Sequence, residues 1–126
     1  KEASGDLIQV MEIINQRPEG FLVISGDDAI TLPITAAGGD GVISVVGNAY
    51  PKEFSNMVRH IFKEEGDQAR AIHYSLLEFN NYIFAEGNPG GVKSALKELG
   101  VCGDTLRLPL YKISEGLEKK IQSSML

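Results

Sequence analysis

The chain has 126 residues, of which 43% are apolar and 23% charged, and its 12 basic against 17 acidic side chains give a formal charge of −5. This length buries a core without disulfides, and the single cysteine, Cys102, forms no internal one, so we expect one soluble domain, or part of a larger protein, in a reducing, cytoplasmic setting. The acidic balance disfavours nucleic-acid binding, and the longest apolar runs, at residues 21–24 and 42–46, are far shorter than the roughly 20 residues of a membrane-spanning helix.

The first predicted elements are a helix and a buried strand. Residues 7–16 place apolar side chains on one broad face, Ser4 or Asp6 is a candidate N-cap, and Pro18 ends the helix. Residues 21–24 form a short, wholly apolar run, which is typical of a strand buried on both faces in a parallel sheet.

A second unit of the same kind follows. Residues 30–37 favour a helix that Gly38 closes, provided that Pro33 falls in its first turn. Residues 41–46 are a second apolar strand, so the two strands begin at residues 21 and 41. This spacing is typical of a compact β/α repeat.

Beyond Pro51 the pattern is helical, with helices predicted at residues 52–65, 68–84, 92–99 and 115–125. Two parallel strands cannot cover themselves, so we expect their partners upstream, and the lack of an initiator methionine before Lys1 also indicates a piece of a longer protein. An eight-stranded β/α barrel takes about 250 residues. We therefore predict an α/β fold, the C-terminal portion of a (β/α)8 TIM barrel at residues 1–65, from the end of strand six to helix eight, followed by a C-terminal helical domain at residues 66–126.

Several motifs resemble the C-terminal part of the dihydrodipicolinate synthase family, within the N-acetylneuraminate lyase superfamily. The matching motifs are KEASGD at 1–6, ISGDDA at 24–29, GVISV at 41–45, EGNPGGVK at 86–93, KELG at 97–100 and DTLRLPL at 104–110. They extend over essentially the whole chain. The sequence departs from the pattern at Gly91, where the family commonly has proline.

The resemblance implies roles for three residues. Lys1 would be the amine that forms a Schiff base with pyruvate at the carboxyl end of the sixth barrel strand, and Gly26 and Ile43 would line the same pocket at the ends of strands seven and eight. The family is a lyase of lysine and diaminopimelate biosynthesis that condenses pyruvate with aspartate semialdehyde to 4-hydroxy-tetrahydrodipicolinate, without a metal or an organic cofactor. It usually forms a homotetramer, in some members a homodimer, so the resemblance implies these two substrates and further copies of the chain as partners.

The chemistry explains why these residue types suit the pocket. Only a neutral amine attacks a ketone, and burial among apolar walls lowers a lysine pKa from its reference value of about 10.4, so we expect Lys1 to be buried. Gly26 has no side chain, which lets the backbone approach a small acid closely. Ile43 is expected to offer its backbone carbonyl rather than its side chain.

Two other functions stay open at this point. A related pyruvate-dependent aldolase, acting on N-acetylneuraminate or a keto-sugar acid, would use the same lysine, although GDD at 26–28 and LRLPL at 106–110 favour the synthase. As an isolated polypeptide the chain would instead be a non-catalytic fragment, because the family's proton-relay tyrosine and threonine and its substrate-binding arginine come from upstream. We therefore expect activity to require the upstream half.

The remaining polar motifs are interpreted as structural. Asp27 and Asp28 favour capping over acid–base chemistry. The glycine cluster at residues 38–41 lacks the lysine and the spacing of a phosphate-binding loop, so it is interpreted as a helix stop. His60 and His73 lack the spacing of metal ligands, so no metal site is predicted.

Overall fold

The computed structural model describes all 126 residues, from Lys1 to Leu126. The helices are α1 (Leu7–Gln16), α2 (Thr31–Ala36), α3 (Val46–Ala49), α4 (Pro51–Phe62), α5 (Gly66–Phe84), α6 (Gly90–Glu98) and α7 (Glu115–Ser123), and the strands are β1 (Ile24–Ser25) and β2 (Gly41–Val42). None of the helices combines the length and the hydropathy that crossing a bilayer requires.

Helix α1 has the bounds that its apolar periodicity predicts. Asp6 is the N-cap, because its Oδ1 accepts hydrogen bonds from the backbone N–H groups of Ile8 (2.9 Å) and Gln9 (3.3 Å), which have no partner inside the helix. Of the two candidate caps, Asp6 is therefore confirmed. Ser4 instead accepts from the Asp6 N–H at 3.1 Å and so supports the turn before the helix.

Three parallel backbone segments lie side by side at the N-terminal end of the chain. β1 pairs in parallel with β2, with Ile24 opposite Gly41. On the other edge of β1, the Glu2 N–H donates to the Ile24 carbonyl (2.8 Å) and the Gly26 N–H donates to the Glu2 carbonyl (2.7 Å). The order across this small sheet is therefore the segment at Glu2, then β1, then β2.

The strands are much shorter than the apolar runs that predict them. Each has two residues, whereas the runs cover residues 21–24 and 41–46. The side chains of Phe21 and Leu22, expected to be buried on both faces, are 58% and 63% exposed, because nothing in these 126 residues covers them. The prediction is also wrong at Val46, which begins α3 instead of ending a strand. An apolar run indicates that its residues become buried, but it does not determine how many of them pair with a neighbouring strand.

Helices α4 to α7 carry most of the core, and all four form where their periodicity predicts. Twelve buried residues make one cluster: Val46, Tyr50, Phe54, Met57, Val58, Ala69, Leu76, Phe79, Ile83, Ala95, Leu117 and Ile121. The ring of Tyr50 lies edge-on to that of Phe79 with 5.0 Å between centroids, and its hydroxyl accepts from the Leu126 N–H at 2.9 Å. The cluster thus contains residues from both sides of position 65/66, and a domain boundary there stays a prediction.

One surface contact joins the start of α7 to the end of α5. The Ser114 hydroxyl and backbone N–H both donate to the Glu86 carboxylate, at 2.5 and 2.8 Å, and the same hydroxyl caps α7 by accepting from the Leu117 N–H at 3.2 Å. These two donors favour the ionised carboxylate, so they hold the pKa of Glu86 below its usual value.

Replacing Glu86 by glutamine is expected to remove the pH-dependent part of the stability that this carboxylate contributes. A carboxyl group whose pKa is lower in the folded state stabilises the fold above its unfolded pKa, and that contribution is lost as the pH falls through the folded pKa. Urea unfolding should show Glu86→Gln less stable than wild type at neutral pH, with a difference that shrinks below about pH 4.5. Glu12→Gln, on the exposed side of α1, is the control. A constant difference at every pH would contradict the prediction.

Candidate active site

Lys1 and Gly26 meet at the carboxyl edge of the parallel segments. A Cβ built on Gly26 would lie 2.6 Å from Cε of Lys1 and 2.9 Å from Cβ of Ala3, so the lysine side chain crosses the space that only a glycine leaves open. Real Cβ atoms do not approach other atoms so closely. The structure therefore brings together two of the three residues that the resemblance implies, and it gives a steric reason for the glycine.

Ile43 stands at the same edge of the sheet. Its N–H donates to the carbonyl of Ser25 at 2.9 Å, which extends the pairing of β1 and β2 by one bond. The side chain is 59% exposed. Lys1, Gly26 and Ile43 thus follow one another across the three parallel segments.

The expected burial of Lys1 is not found in this chain. Lys1 is exposed, and so is Ala3 beside it. Gly26 is half-buried, and it contributes backbone rather than an apolar side chain to the surroundings of the amine. The prediction is wrong for these 126 residues because they supply one side of a pocket and no apolar groups that exclude water from the Lys1 amine.

The loop after Gly26 is fixed by hydroxyl groups that sequence reasoning missed. Ser25 and Thr31 are fully buried, their hydroxyls lie 3.2 Å apart, and both donate to the carbonyl of Asp27, at 3.0 and 2.7 Å. Asp27 in turn accepts from the Ala29 N–H at 3.1 Å and so supports this turn, whereas α2 begins after Ile30 without a side-chain cap, so the predicted capping role of Asp27 is not found at this helix. The only sequence signal for this cluster is a serine and a threonine six residues apart around a turn, which is too common to single out.

A cleft of about 450 Å³ opens between this loop and helix α5. Ala3, Gly26 and Asp27 line one side, and Asn80, Asn81 and Phe84 line the other. The α5 residues lie more than fifty positions along the chain from Gly26, so no local pattern indicates that they face it. Of the three residues that the resemblance implies, Gly26 alone lines this cleft.

The other polar motifs lie away from this edge. Asp40, in the glycine cluster, pairs with Arg17 and accepts from the Val23 N–H at 2.8 Å, so it holds the loop before β2. His60 contacts the Glu65 carboxylate, whereas His73 lies edge-on to Tyr74 and burial lowers its pKa. No three His, Cys, Asp or Glu side chains come together in a way that could hold a metal ion.

The sequence of this chain is similar to that of a known enzyme family. A sequence model of the dihydrodipicolinate synthetase family matches residues 1–125. The 4-hydroxy-tetrahydrodipicolinate synthase of Flavobacterium psychrophilum is 51% identical over 121 residues, covering 96% of this chain and 41% of the relative. That of Cytophaga hutchinsonii is 46% identical over 124 residues, covering 98% of this chain and 42% of the relative.

Solved structures agree with the sequence comparison. The crystal structure of dihydrodipicolinate synthase from Thermotoga maritima matches with a TM-score of 0.95 and 35% identity, over 98% of this chain and 43% of that one. The enzyme from Aquifex aeolicus gives a TM-score of 0.93 and 39% identity, over 98% and 42%. This chain spans about two fifths of the length of the relatives it matches. With a family match over nearly every residue, the chain belongs to the dihydrodipicolinate synthetase family.

Proposed function

We propose that this chain is the part of a 4-hydroxy-tetrahydrodipicolinate synthase that carries the Schiff-base lysine, Lys1. The observation that supports this most directly is the position of Lys1, whose side chain crosses Gly26 at the carboxyl edge of the parallel segments. In β/α barrels the active site lies at this end of the strands. The proposed reaction is taken from the names of the relatives, and the position of Lys1 supports its amine as the group that reacts.

The proposed fold of the whole protein is a (β/α)8 barrel, in which the three parallel segments are the last three strands. This fold explains the exposed apolar side chains of Phe21, Leu22 and Ile43, which have no cover in these 126 residues. A barrel interior is filled by side chains from several strands, so upstream strands would bury such positions. The same strands would enclose Lys1 and exclude water from its amine, which the present residues do not do.

The proposed reaction begins at Nζ of Lys1. The neutral amine attacks the keto carbon of pyruvate, and loss of water gives a protonated imine. The imine withdraws electrons from the neighbouring methyl group, which loses a proton to give an enamine. The enamine carbon then attacks the aldehyde carbon of aspartate semialdehyde and forms the new carbon–carbon bond. Finally the substrate amine attacks the imine carbon, closes the ring and releases Lys1 as a free amine.

The proposal includes three further points. No metal or organic cofactor takes part, because the protonated imine is itself the electron sink. The enzyme acts in the cytoplasm, since Cys102, the one cysteine of these 126 residues, is a free exposed thiol, which is typical of a reducing compartment. It works as a homotetramer or homodimer, and it needs the upstream half of the polypeptide for proton transfer and for binding of the second substrate.

Borohydride trapping with pyruvate tests the proposal on the full-length protein that contains this sequence. Reduction converts the imine into a stable secondary amine, and peptide mapping is expected to place the adduct on the side chain of Lys1. The peptide that contains Lys52, an exposed lysine on α4, is the internal control and should stay unmodified. In the 126-residue chain alone, the adduct must be assigned to one of two amines, because the α-amino group of residue 1 can also form an imine with pyruvate.

Two results would contradict the proposal. Absence of any adduct in the full-length protein would exclude a pyruvate-dependent lyase of this kind. Trapping at Lys1 combined with turnover of N-acetylneuraminate or a keto-sugar acid, and none with aspartate semialdehyde, would retain the lysine chemistry and replace the second substrate.

A further inference from the structure

Asp28 connects the two loops that follow Gly26 and Ile43, the residues expected to form the two walls of the candidate pocket. It lies two residues after Gly26, and its Oδ2 accepts hydrogen bonds from the N–H groups of Val45 (2.8 Å) and Val46 (3.0 Å), which come directly after the segment at Ile43. Asp28 is 4% exposed, and its bond to Val46 is buried while its bond to Val45 is partly buried. One carboxylate oxygen thus fixes the distance between two loops that the sequence separates by 17 positions.

No other hydrogen bond joins these two loops, since the backbone pairing of the strands ends at Ile43. β1 and β2 have two residues each, and the bond from the Ile43 N–H to the Ser25 carbonyl is the last of their ladder. Val46 begins α3, where the first backbone N–H groups have no partner within the helix. A carboxylate from a neighbouring loop satisfies these donors and continues the connection beyond the strands.

We propose that Asp28 is a positioning residue that sets the distance between Gly26 and Ile43, and through it the fit of pyruvate beside Lys1. The inference rests on the proposed function, which places pyruvate at this edge. Asp28 itself touches no reacting atom in this account. The carboxylate is buried and its Oδ2 is held by two backbone donors, so it acts through the two loops that it joins.

Because the second carboxylate oxygen has no hydrogen-bond partner, variants of Asp28 can separate the effect of loop geometry from the effect of charge. Oδ1 of Asp28 is buried without a hydrogen-bond partner, and so is Oδ1 of Asn80, which lines the same small cavity of about 10 Å³. In Asp28→Asn, an amide group can replace Oδ1 without breaking a bond, while the remaining oxygen still accepts from Val45 and Val46. Asp28→Glu instead retains the charge and moves it by one methylene, which forces the two loops apart.

The test measures pyruvate saturation in the full-length protein, by borohydride trapping at Lys1 and by steady-state kinetics. Asp28→Ala and Asp28→Glu are each expected to raise the pyruvate concentration for half-maximal trapping about tenfold, because small displacements of a binding wall have effects of this size. The KM for aspartate semialdehyde should change less than about twofold, and Asp28→Asn should bring pyruvate half-saturation back to within about threefold of wild type.

A control variant separates the effect of lost stability from the effect on pyruvate binding. Val58→Ala, in the helical cluster on α4, lowers stability without touching either wall, and its pyruvate half-saturation should equal that of wild type. If Asp28→Ala does not fold, the comparison of Asp28→Asn with Asp28→Glu decides. Variants that unfold earlier but keep the pyruvate half-saturation of wild type would overturn the positioning role, as would Asp28→Asn being worse than Asp28→Glu. If the wild-type protein traps no pyruvate at all, the proposed function itself has failed.

Discussion

Replacing Gly26 by alanine is expected to reduce trapping of pyruvate at Lys1 by about 100-fold or more in the full-length protein, because misplacing a reacting group by about 1 Å has an effect of this order. The new Cβ would lie 2.6 Å from Cε of Lys1 and 2.9 Å from Cβ of Ala3. Both contacts are shorter than van der Waals separation, so the lysine side chain and the backbone that carries Ala3 must both shift. The end of a lysine side chain moves most easily, and it carries the amine that the reaction needs.

The fold should tolerate this change better than the chemistry does. Gly26 does not have the positive φ that would make alanine unfavourable, but Cβ of Ala3 at 2.9 Å and the carbonyl oxygen of Glu2 at 3.1 Å can move only with their backbone, so we expect a moderate loss of stability beside the larger loss of trapping. Circular dichroism and thermal unfolding should therefore show a folded protein. Gly103→Ala is the matched control, because a Cβ at that position meets no atom within 4 Å. A Gly26→Ala protein that traps pyruvate at the wild-type rate would show that Lys1 does not need this space.

Six of the seven helices of this chain could be predicted from the sequence because the signal for a helix is local, and only the four-residue α3 gave none. The periodicity of residues 7–16 and the carboxylate of Asp6 lie within the helix they specify, and α1 has the predicted bounds. The strands could not be predicted in the same way, since the pairing of β1 depends on Glu2 and Gly41, which lie elsewhere in the chain. The exposed side chains of Phe21 and Leu22 show the same limit, because burial depends on what the rest of the protein supplies.

The candidate site was predictable only in part, and only through the resemblance. Without it, Lys1 is an ordinary first residue, and nothing in its neighbours indicates that Gly26 lies against its side chain. The residues that shape the site from a distance gave no signal at all. Asn81 and Phe84 reach the cleft through the packing of α5. Asp28, predicted to cap, does so at a distance, because it accepts from the N–H groups of Val45 and Val46 at the start of α3.

Replacing Gly91 by alanine is expected to destabilise the fold by about 3 kcal/mol, at the upper end of the usual effect of overpacking. Gly91 is buried in the first turn of α6, where it packs against the backbone of α5. A Cβ there would overlap the carbonyl oxygen of Ile83 and lie 2.6 Å from its Cα. Unlike the side chain of Lys1, these backbone atoms are held inside a helix and cannot swing aside. The departure from the family's proline therefore coincides with a contact too close for any side chain.

The consequence of this substitution should extend to the candidate site, because α5 carries Asn81 and Phe84 of the cleft. Urea unfolding measures the loss of stability, and Gly116→Ala is the control. In that variant the new Cβ on α7 meets only Oγ of Ser114, at 4.0 Å, and alanine favours a helix over glycine by about 1 kcal/mol. We expect Gly116→Ala to match or exceed the stability of wild type. If Gly91→Ala were equally stable, α5 and α6 would have to lie further apart in solution than their contact at Ile83 indicates.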